Sequence, residues 1–512
     1  MKTIRLDAGT ACQVHATLSG DETNLAQIVA ETRQLQGSSP VEWEVPVTRS
    51  NVHAVEGLLW LADDTGSQVR FLPSTELSDR ERAFFEDVIG HRNQHQASAG
   101  SRIAARISEL AGFAGNCIKV LLRMLPAQRV AKPSAENRDL RRATLVGVYG
   151  GEHVGDIAIL GGVLFRLHRQ FGVTEARLFS HQPEYTKYLT ACLDTPVKLS
   201  VLPDKSDEMN RALADTDALV WAGGPLMDLP PVLVKQLAAI YKTRRQGIPF
   251  LLEGIGVGPF RRAPSRWVAR KIAQSAARIA VRTQGAARDP VLDDIPVDVG
   301  RDPAFDYLET RKELTRLTRG ERESADQVLA KTQGRIRIGI NVRPIRHFWS
   351  TQGEDYSRAM ETQFMNNLAE GMRQFASISG KPVSFIFFPM NLIQIGYSDL
   401  AAAYRLQRLV GNDVDLQVWE ADPDVDGVLY LLRHLDAAIT MRFHASIFAL
   451  SQQLPTLGVD YYPGVGGKVE QLFQDMGLVD DVRRMDEVEV PWLVEGLQQK
   501  CQGLENKGGV VA

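Results

Sequence analysis

The chain has 512 residues, which at roughly 150 residues per domain leaves room for about three domains. With 44% hydrophobic and 24% charged residues it has a globular composition, which excludes disordered, collagen-like and coiled-coil classes. Lysine and arginine total 59 against 62 aspartate and glutamate, so the net charge of −3 excludes a general polyanion binder, and no nucleic-acid partner is expected. Cys12, Cys117, Cys192 and Cys501 are far apart, with neither a C-x-x-C pair nor zinc-finger spacing, which fits a reduced compartment and no metal site. The start lacks the apolar core of a secretory signal, and no run of about 18 apolar residues occurs. The expected location is cytoplasmic, with room for a peripheral position on the cytoplasmic membrane face.

The first hundred residues alternate short strand-like and helical runs: strands at 3–6, 41–45 and 69–72, helices at 24–35 and 52–62. They predict a small α/β accessory module over residues 1–98. Residues 99–142 follow as an amphipathic helix and a basic linker. Between 101 and 126, Ile103, Ile107, Leu110, Ala114, Cys117, Leu121 and Met124 form one helical stripe, with Arg102, Arg106, Lys119 and Arg123 off it. Such a helix packs on the next domain or lies on an anionic membrane, and Gly112 and Gly115 favour close packing.

The main body alternates continuous apolar strands with amphipathic helices, the pattern of parallel strands buried on both faces. The first series has strands at 144–149, 176–179, 197–201, 218–221, 249–252 and 279–281. A charged helical stretch, 310–332, separates it from strands at 337–341, 384–388, 415–419, 437–440 and 456–459. The expected fold class is therefore α/β, with two Rossmann-like doubly wound domains, 143–320 on an acceptor side and 321–512 on a donor side. In open parallel sheets ligands sit beyond the carboxyl ends of the strands, and the chemistry is sought there.

Three strand ends are glycine-rich: the loop from Gly147 through His153 to Gly155 and Asp156, the run Ala222-Gly223-Gly224, and Glu253 to Gly258. Such glycines bring backbone N–H groups close to a ligand at a helix N-terminus, although their spacing matches neither a dinucleotide fingerprint nor a P-loop. Glu253 is expected at the lip of that wall, as a base toward a sugar hydroxyl or as a partner of Arg261 or Arg262. Other strand ends carry cations: Arg282, Arg343, and Arg442 with His444. Arginine's planar fork binds carboxylate or phosphate bidentately, so three strand-end arginines facing one cleft make an anion site. If the junction at Arg442 is extended, Arg442 and His444 face the same side. A helix N-terminus lowers histidine basicity and a bound phosphate dianion restores it, which suits His444 to general acid work, as against simple helix capping. The run Asp422-Pro-Asp424-Val-Asp426-Gly427 opens like an EF-hand loop but has Arg433 where the bidentate glutamate belongs, and reads as a polar turn before a helix at 428–435.

In order and spacing these motifs resemble the polysaccharide pyruvyl transferase family from about Leu145 to Leu478. They are the loop ending at Gly155-Asp156, Ala222-Gly223-Gly224, Gly254-Ile-Gly-Val-Gly-Pro259, Val281-Arg282, Asp302-Pro-Ala-Phe305, Val342-Arg343-Pro344, and the Arg442-Phe-His444-Ala block that continues through Pro455 to Tyr461-Tyr462-Pro463. The resemblance implies a glycosyltransferase-B-like fold and transfer of the pyruvyl group of phosphoenolpyruvate onto two sugar hydroxyls, forming a ketal without a separate cofactor. It implies a glycan or lipid-linked oligosaccharide acceptor. Donor binding and acid catalysis fall to Arg442 and His444, and further donor contacts to Arg282, Arg343 and Lys468. Acceptor-side and base candidates are Asp156, Glu253, His153, Gly155 and Gly224. The sequence departs from the family pattern at Val148 and His153, where asparagines are usual, at Thr283, where aspartate usually follows the arginine, and at Lys468, displaced beyond Gly464–Gly467. The alternatives are a glycosyltransferase using a nucleotide-sugar donor and a non-catalytic glycan-assembly subunit. The sequence is also compatible with peripheral membrane contact through residues 101–126 and with a homo-oligomer.

Overall fold

The computed structural model describes residues 113–502 apart from short segments, chiefly 136–138, 151–153, 346–353, 392–398 and 463–466, and before residue 113 mainly four strands and parts of 74–85. The chain divides into two compact units, residues 92–313, and residues 1–91 with 314–512.

The first unit is built on a parallel sheet. Its strands are β5 (Arg142–Val146), β6 (Glu175–Ser180), β7 (Lys198–Pro203), β8 (Ala218–Ala222), β10 (Phe250–Val257), β11 (Arg278–Val281) and β12 (Asp298–Val299), with the two-residue β9 (Pro225–Leu226) paired to β10. The spatial order is β12-β11-β10-β8-β5-β6-β7. The chain starts in the middle, winds one way through β6 and β7, and returns beside β5 with β8. That reversal is the topological switch point where doubly wound sheets bind ligands. All five residues of β8 are buried, as are seven of the eight in β10, which is why these strands read as continuous apolar runs.

The second unit repeats the plan with β13 (Ile336–Asn341), β14 (Val383–Phe387), β15 (Leu416–Val418), β16 (Ala437–Thr440), β17 (Thr456–Asp460) and β18 (Val482–Arg484), all parallel, in the order β15-β14-β13-β16-β17-β18. Its switch point lies between β13 and β16. The charged stretch before it forms the helix Arg319–Lys331, whose start is closed by a capping box: the Thr318 hydroxyl accepts from the Glu321 N–H and the Glu321 carboxylate accepts from the Thr318 N–H. The acidic run after β15 is the turn into helix Val425–Leu432, with the Asp424 carboxylate accepting from the Gly427 N–H as N-cap. That helix starts and ends three residues earlier than the sequence pattern suggests, because the cap is Asp424.

The N-terminal module contains a four-stranded sheet in the order β1-β2-β3-β4, made of Thr3–Arg5, Cys12–His15, Val41–Val47 and Gln68–Pro73, with the first pair antiparallel and the others parallel. The strand at Cys12–His15 is not anticipated by the sequence pattern, and the helices expected at 24–35 and 52–62 lie outside the described residues. Of the stripe expected over 101–126, residues 113–124 are helical and 101–112 lie outside the described residues. Phe113, Cys117 and Met124 pack on the core of the first unit, joined by the buried Val120. Leu121, expected in that stripe, is instead exposed. One residue per turn reaches the core, and Leu121 lies at the edge of that stripe, turned to solvent.

Close packing in the first unit depends on glycines. Helix Val154–Phe171 meets helix Pro303–Thr310 through Gly161 and Gly162. A Cβ at Gly162 would stand 1.8 Å from the Pro303 carbonyl oxygen, and one at Gly161 2.5 Å from the Tyr307 ring. Gly254, at φ +66°, makes the other side of the same notch, where a Cβ would stand 2.1 Å from Pro303 Cγ. Gly162→Ala should therefore cost about 3 kcal/mol or more of stability, since the obstructing atoms are backbone, and should lower the thermal midpoint of the purified chain. Gly224→Ala, at φ +69° but with open space around its Cβ, should lower it less.

Candidate active site

The second switch point gathers charge. Asn341 ends β13, and Arg343 lies two residues beyond it. Arg442 follows β16 as the N-cap of helix Phe443–Ser451, in which His444 is the second residue. Because the helix begins at Phe443, the extended junction expected for Arg442 and His444 is absent, and their placement follows helix-start geometry. Arg442 is 4%, His444 7% and Arg343 8% exposed.

Asp399, fully buried at the start of helix Asp399–Val410, organises these groups. Arg442 Nε donates to its carboxylate oxygens at 2.7 and 2.8 Å, and Arg442 Nη2 lies 2.5 Å away. The same carboxylate accepts from the Met390 N–H at 2.9 Å and the Asn391 N–H at 3.2 Å, just past β14. Asn341 completes the set: its amide donates to the Phe388 carbonyl at 2.9 Å, and its oxygen accepts from the Arg442 N–H at 3.3 Å. The Arg442 guanidinium is thus pre-oriented through a bidentate pair, the geometry in which arginine loses least freedom per bond.

The Arg343 guanidinium lies over the Tyr461 ring at 5.1 Å, and Tyr461 stacks against Tyr462 at 4.6 Å. Burial, with the nearby Arg442 charge added, pushes the Arg343 pKa down to about 10. The side chain stays cationic at neutral pH, but in surroundings that disfavour its charge. An anion bound here would relieve that penalty. Beside the tyrosines, the Asp460 carboxylate accepts from the Tyr462 N–H and the Glu470 N–H, both at 2.9 Å. Burial nevertheless pushes its pKa up to about 6. Lys468 opens helix Lys468–Asp475 one residue beyond Gly467, which is packed so closely on Asp460 that a Cβ would stand 2.2 Å from its oxygen.

In the first unit, Gly155 and Asp156 lie in the first turn of helix Val154–Phe171, at the carboxyl end of β5. Tyr149 ties the preceding loop across the switch point, its hydroxyl donating to the Ala222 carbonyl at 2.6 Å. Gly223 and Gly224 follow β8 at φ +68° and +69°, conformations that glycine adopts without strain. His153 lies outside the described residues. Arg282 is held by Asp302 at 3.1 Å, with both side chains buried. Asp302 is also the N-cap of helix Pro303–Thr310. Thr283, standing where the family has aspartate, caps the short helix Gln284–Ala287, its hydroxyl accepting from the Ala286 N–H. Arg343, Arg442 and His444 share one switch point, whereas Arg282 belongs to the first unit and its own ion pair.

Glu253 departs most from expectation. It is 1% exposed and not at a lip, because it sits in mid-strand with four more residues of β10 after it. Its carboxylate faces Arg166 at 3.6 Å and Arg278 at 3.5 Å, and Arg262 instead donates its N–H to Asp228. Burial outweighs both arginines and raises its pKa. Asp399 and Asn341 were not among the expected site residues. The available signal was weak, since a strand-ending asparagine and a helix-opening aspartate are each commonplace.

The arrangement is that of an α/β protein with buried guanidiniums gathered at the switch point of a doubly wound sheet. Residues 153–462 match the family described as polysaccharide pyruvyl transferase. The chain belongs to that family and is a transferase, for which the family implies a polysaccharide acceptor. No curated protein matches the chain in sequence. Similar solved structures include UDP-GlcNAc 2-epimerase from Methanocaldococcus jannaschii, with a TM-score of 0.49 and 11% identity, covering 70% of this chain and 93% of that one. The Neisseria meningitidis UDP-GlcNAc 2-epimerase bound to UDP-GlcNAc has a TM-score of 0.47 and 14% identity over 71% of this chain and 92% of that one. The E. coli ADP-heptose lps heptosyltransferase II has a TM-score of 0.40 and 13% identity over 72% of this chain and all of that one.

Removing the partner of a buried charge is costly, so Asp399→Ala should destabilise the second unit by about 3 to 5 kcal/mol in chemical denaturation, and Asp399→Asn by less. A pH effect follows from Asp460. Its folded pKa lies above the ordinary carboxyl value, so its contribution favours the fold at low pH and is lost as pH rises through about 6. The stability of the wild type relative to Asp460→Asn should accordingly fall between about pH 4 and pH 7, measured as the difference in unfolding free energy at each pH.

Proposed function

We propose that the protein transfers the pyruvyl group of phosphoenolpyruvate onto two hydroxyls of a cell-surface polysaccharide or its lipid-linked precursor, forming a cyclic ketal and releasing phosphate. The observation that carries this reading is the buried pair Arg343 and Arg442 at the switch point of the second sheet, with His444 at the start of the adjoining helix. Family membership supports the reading, and the donor's chemistry fits it. Phosphoenolpyruvate presents a carboxylate and a phosphate, and two buried guanidiniums suit such a ligand.

In this mechanism His444 delivers a proton to the donor's methylene carbon, making it a methyl group and leaving an oxocarbenium-like centre at the neighbouring carbon. One acceptor hydroxyl adds there and gives up its proton to a base. The carbon–oxygen bond to phosphate then breaks, the electron pair leaving with the phosphate, and the second hydroxyl closes the ketal as its proton is lost. Atoms balance: one donor and one diol give one ketal and one phosphate. Arg343 and Arg442 stabilise the phosphate as charge accumulates on it. Asp399 acts through Arg442 as a positioning residue.

The purified protein should release phosphate from phosphoenolpyruvate only when a glycan acceptor is present, and His444→Ala should lower kcat by about a hundredfold or more. Release undiminished in that variant would overturn the mechanism. Arg343→Lys keeps the charge but loses the planar fork, and should raise KM for phosphoenolpyruvate by about tenfold. Thermal stabilisation by a uridine or guanosine diphosphate, with none by phosphoenolpyruvate, would point to a nucleotide-sugar donor instead.

A further inference from the structure

The helix at residues 113–124 is apolar on both sides. Phe113, Cys117, Val120 and Met124 face the core of the first unit, and Arg123 fixes the helix by donating to the Ala238 carbonyl at 2.9 Å. The solvent side carries Ile118 at 57%, Leu121 at 62% and Leu122 at 72% exposure. Spaced three and four apart, they share one outward face. Leu122 and Leu121 are the two most exposed large hydrophobic side chains among the described residues.

Cations surround this face. Lys119, Arg129 and Lys132 are exposed, and residues 113–135 contain no aspartate or glutamate. The end of helix Pro230–Arg245 adds Lys242, Arg244 and Arg245. Arg244 is tied to the segment after the helix, donating to the Val130 carbonyl at 2.8 and 3.1 Å. Arg123 and Lys242 are each shifted down, first by burial and then by a neighbouring cation, Arg245 for the former and Arg123 for the latter, which places these charges together.

We infer that this face docks the protein onto an anionic membrane surface, with Ile118, Leu121 and Leu122 entering the lipid interface and the surrounding lysines and arginines meeting the headgroups. Charge complementarity selects this occupant. A second copy would set one cluster of like charge against another, whereas an anionic bilayer takes up aliphatic side chains and cations together. Among the described residues no helix is long and apolar enough to cross a membrane, and the exposed trio spans little more than one helical turn, so the contact is peripheral. The inference rests on the first unit's surface and does not depend on the identity of the donor.

The full chain should float with vesicles of phosphatidylcholine containing about a third phosphatidylglycerol and remain unbound with pure phosphatidylcholine, and high salt should release it. The triple variant Ile118→Ser, Leu121→Ser, Leu122→Ser should keep the wild-type melting temperature and lose vesicle binding by about a hundredfold or more. Lys119→Glu with Lys132→Glu should weaken binding by about tenfold or more without changing melting. Equal binding to both kinds of vesicle, no binding of the wild type, or undiminished binding of the triple variant would overturn the inference. So would a dimer in sedimentation that the triple variant abolishes, which would assign the face to a second copy.

Discussion

A carboxylate with no solvent exposure holds the second switch point together. Asp399 receives hydrogen bonds from the end of one strand, from the first turn of chain after the next, and from the guanidinium of the residue that precedes a third element. Burying such a group is costly unless its lone pairs are filled, and here three parts of the chain fill them. The pair it makes with Arg442 is therefore better understood as a device for specificity than as a source of stability. It fixes one guanidinium plane at the end of the sheet that also carries Arg343 and His444.

Burial works against charge in both units. In the second, burial and then the Arg442 charge beside it lower the Arg343 pKa. In the first, Glu253 and Asp302 are pressed toward protonation despite facing arginines. Those carboxyls belong to the contact between sheet and helices. Their arginines, Arg166, Arg278 and Arg282, are accordingly engaged inside the unit.

How much of this was legible in the sequence follows from the range of each interaction. Strands buried on both faces announce themselves as apolar runs, and the two series were readable for that reason. The strands at Pro225–Leu226, Asp298–Val299 and Val482–Arg484 were not, since two or three residues carry no periodicity. Arg343, Arg442 and His444 were readable because chemistry in this architecture gathers at strand ends. Asp399 was hidden because its partners lie 43 residues away at Arg442 and 58 at Asn341. Glu253 was misplaced because its glycine-rich surroundings look like a loop, whereas the strand continues to Val257 with a register shift after Glu253.

The notch that receives Pro303 bears on how the protein is made. Gly162 lies in the helix that follows β5, and the proline that fills the notch leads the last helix of that unit. About 140 residues must leave the ribosome between the two, at about 5 to 20 residues per second. Until Pro303 emerges, the glycine face of that helix lacks the proline that closes it, and Arg166 has neither Asp306 nor the Arg301 carbonyl. The unit therefore cannot complete its fold strand by strand during synthesis. For several seconds the nascent chain must keep an open, partly apolar helix face, which is when a chaperone would have most to protect.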